Sequence, residues 1–313
     1  MNLKFIDLFA GIGGFRLAFE QLGAKCVFSS EWDKHAQFIY NQNFNETPHG
    51  DITAIKEKDI PKHDIICAGF PCQAFSISGK QLGFNDTRGT LFFDIVRIAE
   101  YHNPKVLFLE NVKNLASHDN GKTLQIILST LDNIGYDVKY QVLNAVNYGA
   151  LTARERIYLV CVRKDLQKEF EFPKPTIPKV SLRGNLDKGK KSAYIIKKKH
   201  TLDIPNNLPN GAAYPIRVGS FNKGGQGDRI YSINGPAITL SAYGGGTASK
   251  TGAYLVSKNQ IRKLTPRECA RIMGFPEEFK IHPKRNEAYK QFGNSVAVPV
   301  IRAIANNIIT LVG

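Results

Sequence analysis

Leu3-Lys4-Phe5-Ile6-Asp7-Leu8-Phe9-Ala10-Gly11-Ile12-Gly13-Gly14-Phe15-Arg16-Leu17-Ala18-Phe19-Glu20-Gln21-Leu22 is the stretch that decides the fold. Residues 3–10 read as a buried strand and Gly11 to Gly14 as a turn. Phe15 to Leu22 place apolar side chains at helical spacing. Strand, glycine turn and helix open a nucleotide-binding α/β unit, because glycine lets backbone approach a ligand and a helix N-terminus offers unpaired N–H groups. The spacing is not G-x-G-x-x-G, so the dinucleotide fingerprint is absent.

The next segments extend that reading. Cys26 to Ser30 form a second strand that ends at Glu31-Trp32-Asp33. An acidic residue about 20 positions after the glycines is where a ribose hydroxyl pair is held. Trp32, the only tryptophan, is placed to stack on a purine. A third strand end is expected near Gly50-Asp51-Ile52, with Asp51 accepting from an adenine amino group. Strands and helices then alternate to about residue 165, which predicts a doubly wound, mostly parallel sheet.

The apolar run Ile65 to Ala68 feeds Gly69-Phe70-Pro71-Cys72-Gln73, which delivers one thiol to the end of a strand. Residues 73–90, with Gly79, Gly83 and Gly89, lack periodicity and are expected to be a binding loop or lid. A strand from Val106 delivers Glu110-Asn111-Val112, and residues 122–134 have the pattern of an amphipathic helix.

Composition bounds the function. The chain has 313 residues, 42% hydrophobic, enough for a sizeable core. Five scattered cysteines without CxxC or Cys/His spacing indicate neither a disulfide framework nor a zinc site, and no metal is expected. No signal-peptide layout or membrane-length run is read, which points to an intracellular, cytoplasmic protein. Net charge is +15, and residues 174–260 carry fourteen Lys/Arg against three Asp. A patch that basic fits a polyanion, with nucleic acid the first candidate. The Lys-rich segment 188–199 reads equally as phosphate-binding or as a solvated loop.

At Phe172-Pro173-Lys174-Pro175 the character changes to prolines, lysines, short β segments and glycine turns. The boundaries drawn are 1–175 for a catalytic and cofactor domain completed by 290–313, 176–262 for a small β-rich domain, and 263–289 for a connecting segment. Thr265, Pro266 and Glu268 predict a helix opened by a capping box.

Six ordered motifs now stand together: Phe5 to Gly14; Pro71-Cys72-Gln73; Glu110-Asn111-Val112; Arg154-Glu155-Arg156; Arg267 to Arg271 with Gly274-Phe275-Pro276; and Gly293-Asn294-Ser295-Val296. From about residue 3 to 305 the chain resembles the DNA (cytosine-5) methyltransferases. That resemblance implies the S-adenosylmethionine-dependent methyltransferase fold with a target-recognition domain. It implies Cys72 as nucleophile, Glu110 as the acid at ring N3, Arg154 at O2 of the base, and Arg156 orienting that network. It implies S-adenosylmethionine as cofactor, with Phe9, Gly11, Gly13, Glu31, Trp32, Asp51 and Ile52 at the adenosine end and Pro71, Leu91 and Asn294 near the methionine end. Duplex DNA is the implied partner, touched by Ser78, Gln226, Arg229, Thr239 and Tyr243; a monomer and a cognate restriction endonuclease are further expectations. Over residues 223–254 it implies the site GCGC.

The chemistry suits these residue types. A thiolate is strongly nucleophilic and departs easily, and a carboxylic acid can protonate a ring nitrogen. The target atom is out of reach inside a duplex, so the cytosine must flip out. One departure is visible: Thr152 stands where the family usually has Gln, which puts local packing in question. Two other readings share these features, a tRNA cytosine-5 methyltransferase and a non-catalytic DNA-binding relic.

Overall fold

The computed structural model describes residues 3–71, 91–176, 179–189, 191–258 and 260–313. Cys72, Ser78 and the remainder of the segment 72–90 lie outside the described residues. By their internal contacts the residues form two compact units. The first comprises 1–143, 155–173 and 302–313; the second comprises 144–154 and 174–301.

The first unit holds β1 (Lys4–Leu8), α1 (Gly14–Glu20), β2 (Lys25–Ser30), α2 (Lys34–Phe44), β3 (Ile65–Gly69), α3 (Leu91–His102), β4 (Val106–Val112) and α4 (Lys122–Asn133). After β5 (Tyr136–Asn144) and the short β6 (Thr152–Ala153), β7 (Glu155–Arg163) completes a six-stranded sheet of order β2-β1-β3-β4-β7-β5. The β1–β2, β1–β3 and β3–β4 pairs are parallel and β4–β7 is antiparallel, so the sheet is mixed. β3 and the first four residues of β4 are continuous apolar runs, because both faces of a parallel sheet are covered. Ile65, Ile66, Cys67 and Ala68 of β3 are all fully buried.

The third strand in the sheet is therefore Ile65–Gly69, not a segment at residue 50. His49 touches β2 through a single parallel bridge to Ser30. Asp51 then ends extended structure by accepting from Thr53 N at 3.0 Å, which caps a one-turn 3₁₀ helix. Asp is a poor strand former and a good cap, and that local chemistry prevails over the expected strand.

The second unit holds β8 (His200–Leu202), β9 (Arg217–Phe221), β10 (Arg229–Ser232), β11 (Ala237–Ile238), β12 (Ala253–Ser257) and β13 (Gln260–Arg262), followed by α5 (Pro266–Ile272) and α6 (Arg285–Asn294). Its five-stranded sheet runs β13-β12-β10-β9-β8, and β11 pairs with β6. Val218, Phe221, Ile230, Ala248, Ala253 and Ile261 form its core. The capping box at α5 is complete: Thr265 accepts from Glu268 N, and the Glu268 carboxylate accepts from Thr265 N. Glu268 is fully buried and holds Arg262 with two 2.7 Å hydrogen bonds, while its Oε1 also accepts from Asp187 N.

The final helix, α7 (Val298–Val312), begins in the second unit and ends in the first. The stretch Arg285–Val312 is long and apolar enough by composition to cross a membrane, which the sequence reading did not register, but it is two helices, α6 and α7, divided at residues 295–297. Of its most apolar window, 56% is buried within the fold, as expected of a core helix.

Candidate active site

In the first unit the end of β1 builds a ligand cradle from backbone. Phe9 has φ 56°, Gly11 57° and Gly13 85°, so the chain leaves the strand through three left-handed residues. A Cβ on Gly11 would meet nothing within 4 Å, so that face of the turn is open. A Cβ on Gly13 would lie 2.3 Å from the Phe44 ring, so this glycine is required by the close packing of α1 on α2.

Glu31 fixes the cradle. It is buried, its Oε2 accepts from Gly11 N at 2.7 Å, and its Oε1 accepts from Asp33 N at 2.8 Å. Burial pushes its carboxyl upward, and the N–H groups of Asp33 and Gly11 pull the other way. Beside it the Trp32 indole is 77% exposed. Phe9 packs partly against the core, Ile52 is buried in it, and Leu91 starts α3 against the same cluster. The Ile52 carbonyl accepts from Arg97 Nη2 at 2.6 Å. Asp51 and Pro71 are exposed. An open glycine turn, a carboxylate at its base and an exposed indole fit a ligand with hydroxyls and an aromatic ring. Asn294, the last residue of α6, lies exposed in the second unit.

The register of β3 on β4 sets Gly69 opposite Glu110. The acid thus sits beside the strand end that leads into Pro71 and Cys72. Arg156 Nε lies 3.1 Å from Glu110 Oε1, both largely shielded from solvent. Asn111, which carried no assigned role in the sequence reading, holds this corner. It is 2% exposed, its Nδ2 donates to the Phe70 carbonyl at 3.0 Å, and its Oδ1 accepts from Val112 N at 2.8 Å. An Asn flanked by the residues of a strand end was the available signal.

Arg154 belongs to the second unit and is 2% exposed. Its Nη1 donates to Leu240 O at 3.2 Å, and its Nη2 to Gly293 O at 3.1 Å and Ser295 O at 2.7 Å. It clamps two segments far apart in sequence. Thr152 answers the question raised by the missing Gln. It is fully buried, its hydroxyl donates to Ile238 O at 2.9 Å, and β6 pairs with β11 beside it. Thr239 donates back to Ala153 O at 2.7 Å, so its hydroxyl serves this junction.

Among the other expected DNA-reading residues, Gln226 is exposed at the start of a 3₁₀ turn and Tyr243 is 75% exposed. Arg229 starts β10, and its Nε is a buried donor with no acceptor among the described residues. The two loops that carry these residues meet backbone to backbone. A Cβ on Gly227 would lie 2.0 Å from Gly245 O, and one on Gly246 2.5 Å from Gly227 O. Asp228 ties them further, accepting from Thr247 N and Asn222 Nδ2, both at 3.0 Å. These bonds, the Thr247 amide first, hold the Asp228 carboxyl below its usual range.

Among the described residues no group of three or more His, Cys, Asp or Glu side chains is placed to hold a metal ion.

A mixed α/β sheet with a glycine cradle, and an acid beside the strand end that leads to Pro71, fits an enzyme that binds a nucleotide-like cofactor. The chain belongs to the C-5 cytosine-specific DNA methylases, whose family model matches residues 3–310. It is 55% identical over 309 residues to the Type II methyltransferase M.HhaI of Haemophilus parahaemolyticus, covering 98% of this chain and 94% of that protein. It is 46% identical to M.SsoII of Shigella sonnei, covering 98% and 80%. Its fold matches the crystal structure of the S. pombe Dnmt2 methyltransferase with a TM-score of 0.74 at 20% identity, covering 99% of both chains. The protein is a DNA cytosine-5 methyltransferase, and this family membership implies S-adenosylmethionine as methyl donor and DNA as substrate.

Proposed function

We propose that this enzyme is the modification methyltransferase of a type II restriction–modification system. It methylates C5 of a flipped-out cytosine in a short duplex site, and GCGC, with the inner cytosine as target, is the site we assign. The near-full-length relation to M.HhaI carries this reading.

Bound S-adenosylmethionine supplies an electrophilic methyl group. The residues of this chain prepare the base to accept it. Cys72 adds as thiolate to C6, forming an S–C6 bond and moving the ring electrons toward C5. Glu110, as the acid, donates to ring N3 and stabilises the charge that addition creates. Its ion pair with Arg156 fixes the carboxyl beside the strand end before Cys72. Arg154 contacts O2 of the base while anchoring the wall formed by residues 240 and 293–295. When C5 has gained the methyl group, its proton passes to water, the C5–C6 double bond re-forms, the thiolate leaves and the N3 proton returns to Glu110. Phe9 and Trp32 flank the purine of the cofactor, Glu31 binds the ribose and Asp51 the adenine amino group. Ser78 and Gln226 fill the space vacated by the cytosine, at the few kcal/mol that unstacking costs. Arg229 reads guanine, since bidentate Arg–guanine is the commonest specific base contact, and its unsatisfied Nε supports this. The second unit is assigned target recognition. The enzyme acts as a monomer in the cytoplasm.

The test is transfer of labelled methyl from S-adenosylmethionine to duplexes with GCGC or a scrambled site. Label confined to the GCGC duplex is expected, and cofactor binding without transfer to any duplex overturns the reading. A duplex with 5-fluorocytosine at the target should give a complex that survives denaturation. Cys72→Ser should lose at least about 10³-fold in turnover yet still bind DNA.

A further inference from the structure

The second unit carries a cationic ridge that the base-reading residues do not account for. Ile196 N donates to Ile261 O at 2.9 Å, and Ile195 bridges to Arg262, so the chain is fastened to β13 at one edge of the five-stranded sheet. Four residues after Ile196 it pairs with β9 as β8, with His200 opposite Phe221. Lys197, Lys198 and Lys199 make this crossing. Ile196 and Leu202, on either side, pack against the core of the unit. All three lysines are exposed, and among the described residues none forms an ion pair.

The crossing is tied to the glycine loops. Lys198 Nζ donates to Thr247 Oγ1 at 3.1 Å, and the Thr247 amide caps Asp228, the neighbour of Arg229. Lys263 Nζ reaches Ser249 Oγ of the same loop at 3.4 Å. β9 runs straight into the loop that holds Gln226. Cations therefore gather around the second glycine loop from two directions. Burial, then the nearby Lys250 and Arg285, push the Lys263 ammonium below its ordinary range, as uncompensated positive charge does.

We infer that Lys197, Lys198 and Lys199, with Lys263, form a phosphate rail that binds the DNA backbone beside the recognition site without reading sequence. This rests on the second unit being the DNA-reading part of the enzyme. A lysine ammonium suits the task because it is a compact point charge for phosphate oxygens. Fastening at Ile196 and Leu202 fixes the ridge before DNA arrives, which lowers the ordering cost of binding. The hydroxyl of Thr247 couples the rail to the loops that read bases.

The experiment compares the wild-type enzyme with the triple variant Lys197→Ala/Lys198→Ala/Lys199→Ala and its triple Arg counterpart. Fluorescence anisotropy follows binding to site-containing and site-free duplexes across a salt series, with thermal melting as the check on folding. Each lost phosphate contact removes about 0.9 from the slope of log K against log salt. The alanine variant should lose about 2 to 3 in slope. It should weaken on both duplexes by the same factor, while the arginine variant keeps the wild-type slope. An alanine slope equal to wild type overturns the rail, as does a loss confined to the site-containing duplex or shared by the arginine variant. A wild-type enzyme that neither binds nor methylates duplex DNA removes the functional reading itself, a result separable from rail failure because it appears before any substitution.

Discussion

The glycine cradle of the first unit and the glycine loops of the second use the same residue for opposite ends. At Gly11 the absent side chain leaves open space, and a buried carboxylate, Glu31, holds the turn in shape from behind. At Gly227 and Gly246 the absent side chains are filled by another backbone. The first arrangement leaves open space beside a turn held by a buried carboxylate. The second welds two loops into one surface tied by the Asp228 carboxylate, with Lys197 to Lys199 on the crossing beside it. The cradle is therefore sensitive to loss of charge, and the loop pair to any side chain that pushes backbone apart.

The comparison can be broken or sharpened by substitution. The largest effect is expected from Glu268→Gln, which strips charge from a fully buried pair and leaves Arg262 uncompensated. Breaking such a pair costs about 3–5 kcal/mol, measurable as a lower denaturation midpoint, with S-adenosylmethionine affinity at the cradle retained below that midpoint. Asp7→Asn comes next. The Asp7 carboxyl is fully buried in β1, and burial raises it from 3.8 to about 8. The unfolded chain therefore releases this proton from about pH 4 upward while the folded chain keeps it to about pH 8. Stability is unaffected below that window and falls as pH rises through it, by on the order of a few kcal/mol. Unfolding of wild type and variant across pH 4 to 8 should show the decline shrinking in the variant; parallel curves would reject it. Gly227→Ala should part the loops at a cost of about 1–3 kcal/mol. Discrimination between GCGC and scrambled duplexes should fall, while S-adenosylmethionine titrates as in wild type. Glu31→Gln should weaken that same titration about tenfold, because an amide keeps one acceptor for the two N–H groups of Gly11 and Asp33, turns its NH2 toward the other, and loses the charge that strengthens both bonds. Unchanged affinity would sever the link between Glu31 and the cradle.

How much of this was legible follows from how local each feature is. The cradle, the capping box at Thr265 and the strand before Pro71 are written in neighbouring residues, and the structure has them. The strand expected near Asp51 failed because a cap and a strand end share the same residue types there. Asn111 and Arg154 were harder. The first acts on a carbonyl 41 positions away and the second on carbonyls 86, 139 and 141 positions away. Nothing periodic marks such partners. Thr152 was read as a loss because its partner, the Ile238 carbonyl, is supplied by a strand two residues long.

The chain passes between its two units four times, after residues 143, 154, 173 and 301, the last of these inside α7. During synthesis the first unit emerges with most of its sheet early, yet its share of α7 leaves the ribosome only after the whole second unit. The nascent first unit must wait, incomplete, while more than a hundred residues are added, and an incomplete unit is open to chaperones and to aggregation. Neither unit can be released as one contiguous fragment: even a gene that joined residue 313 to residue 3 through a linker would leave residues 144–154 of the second unit inside the first.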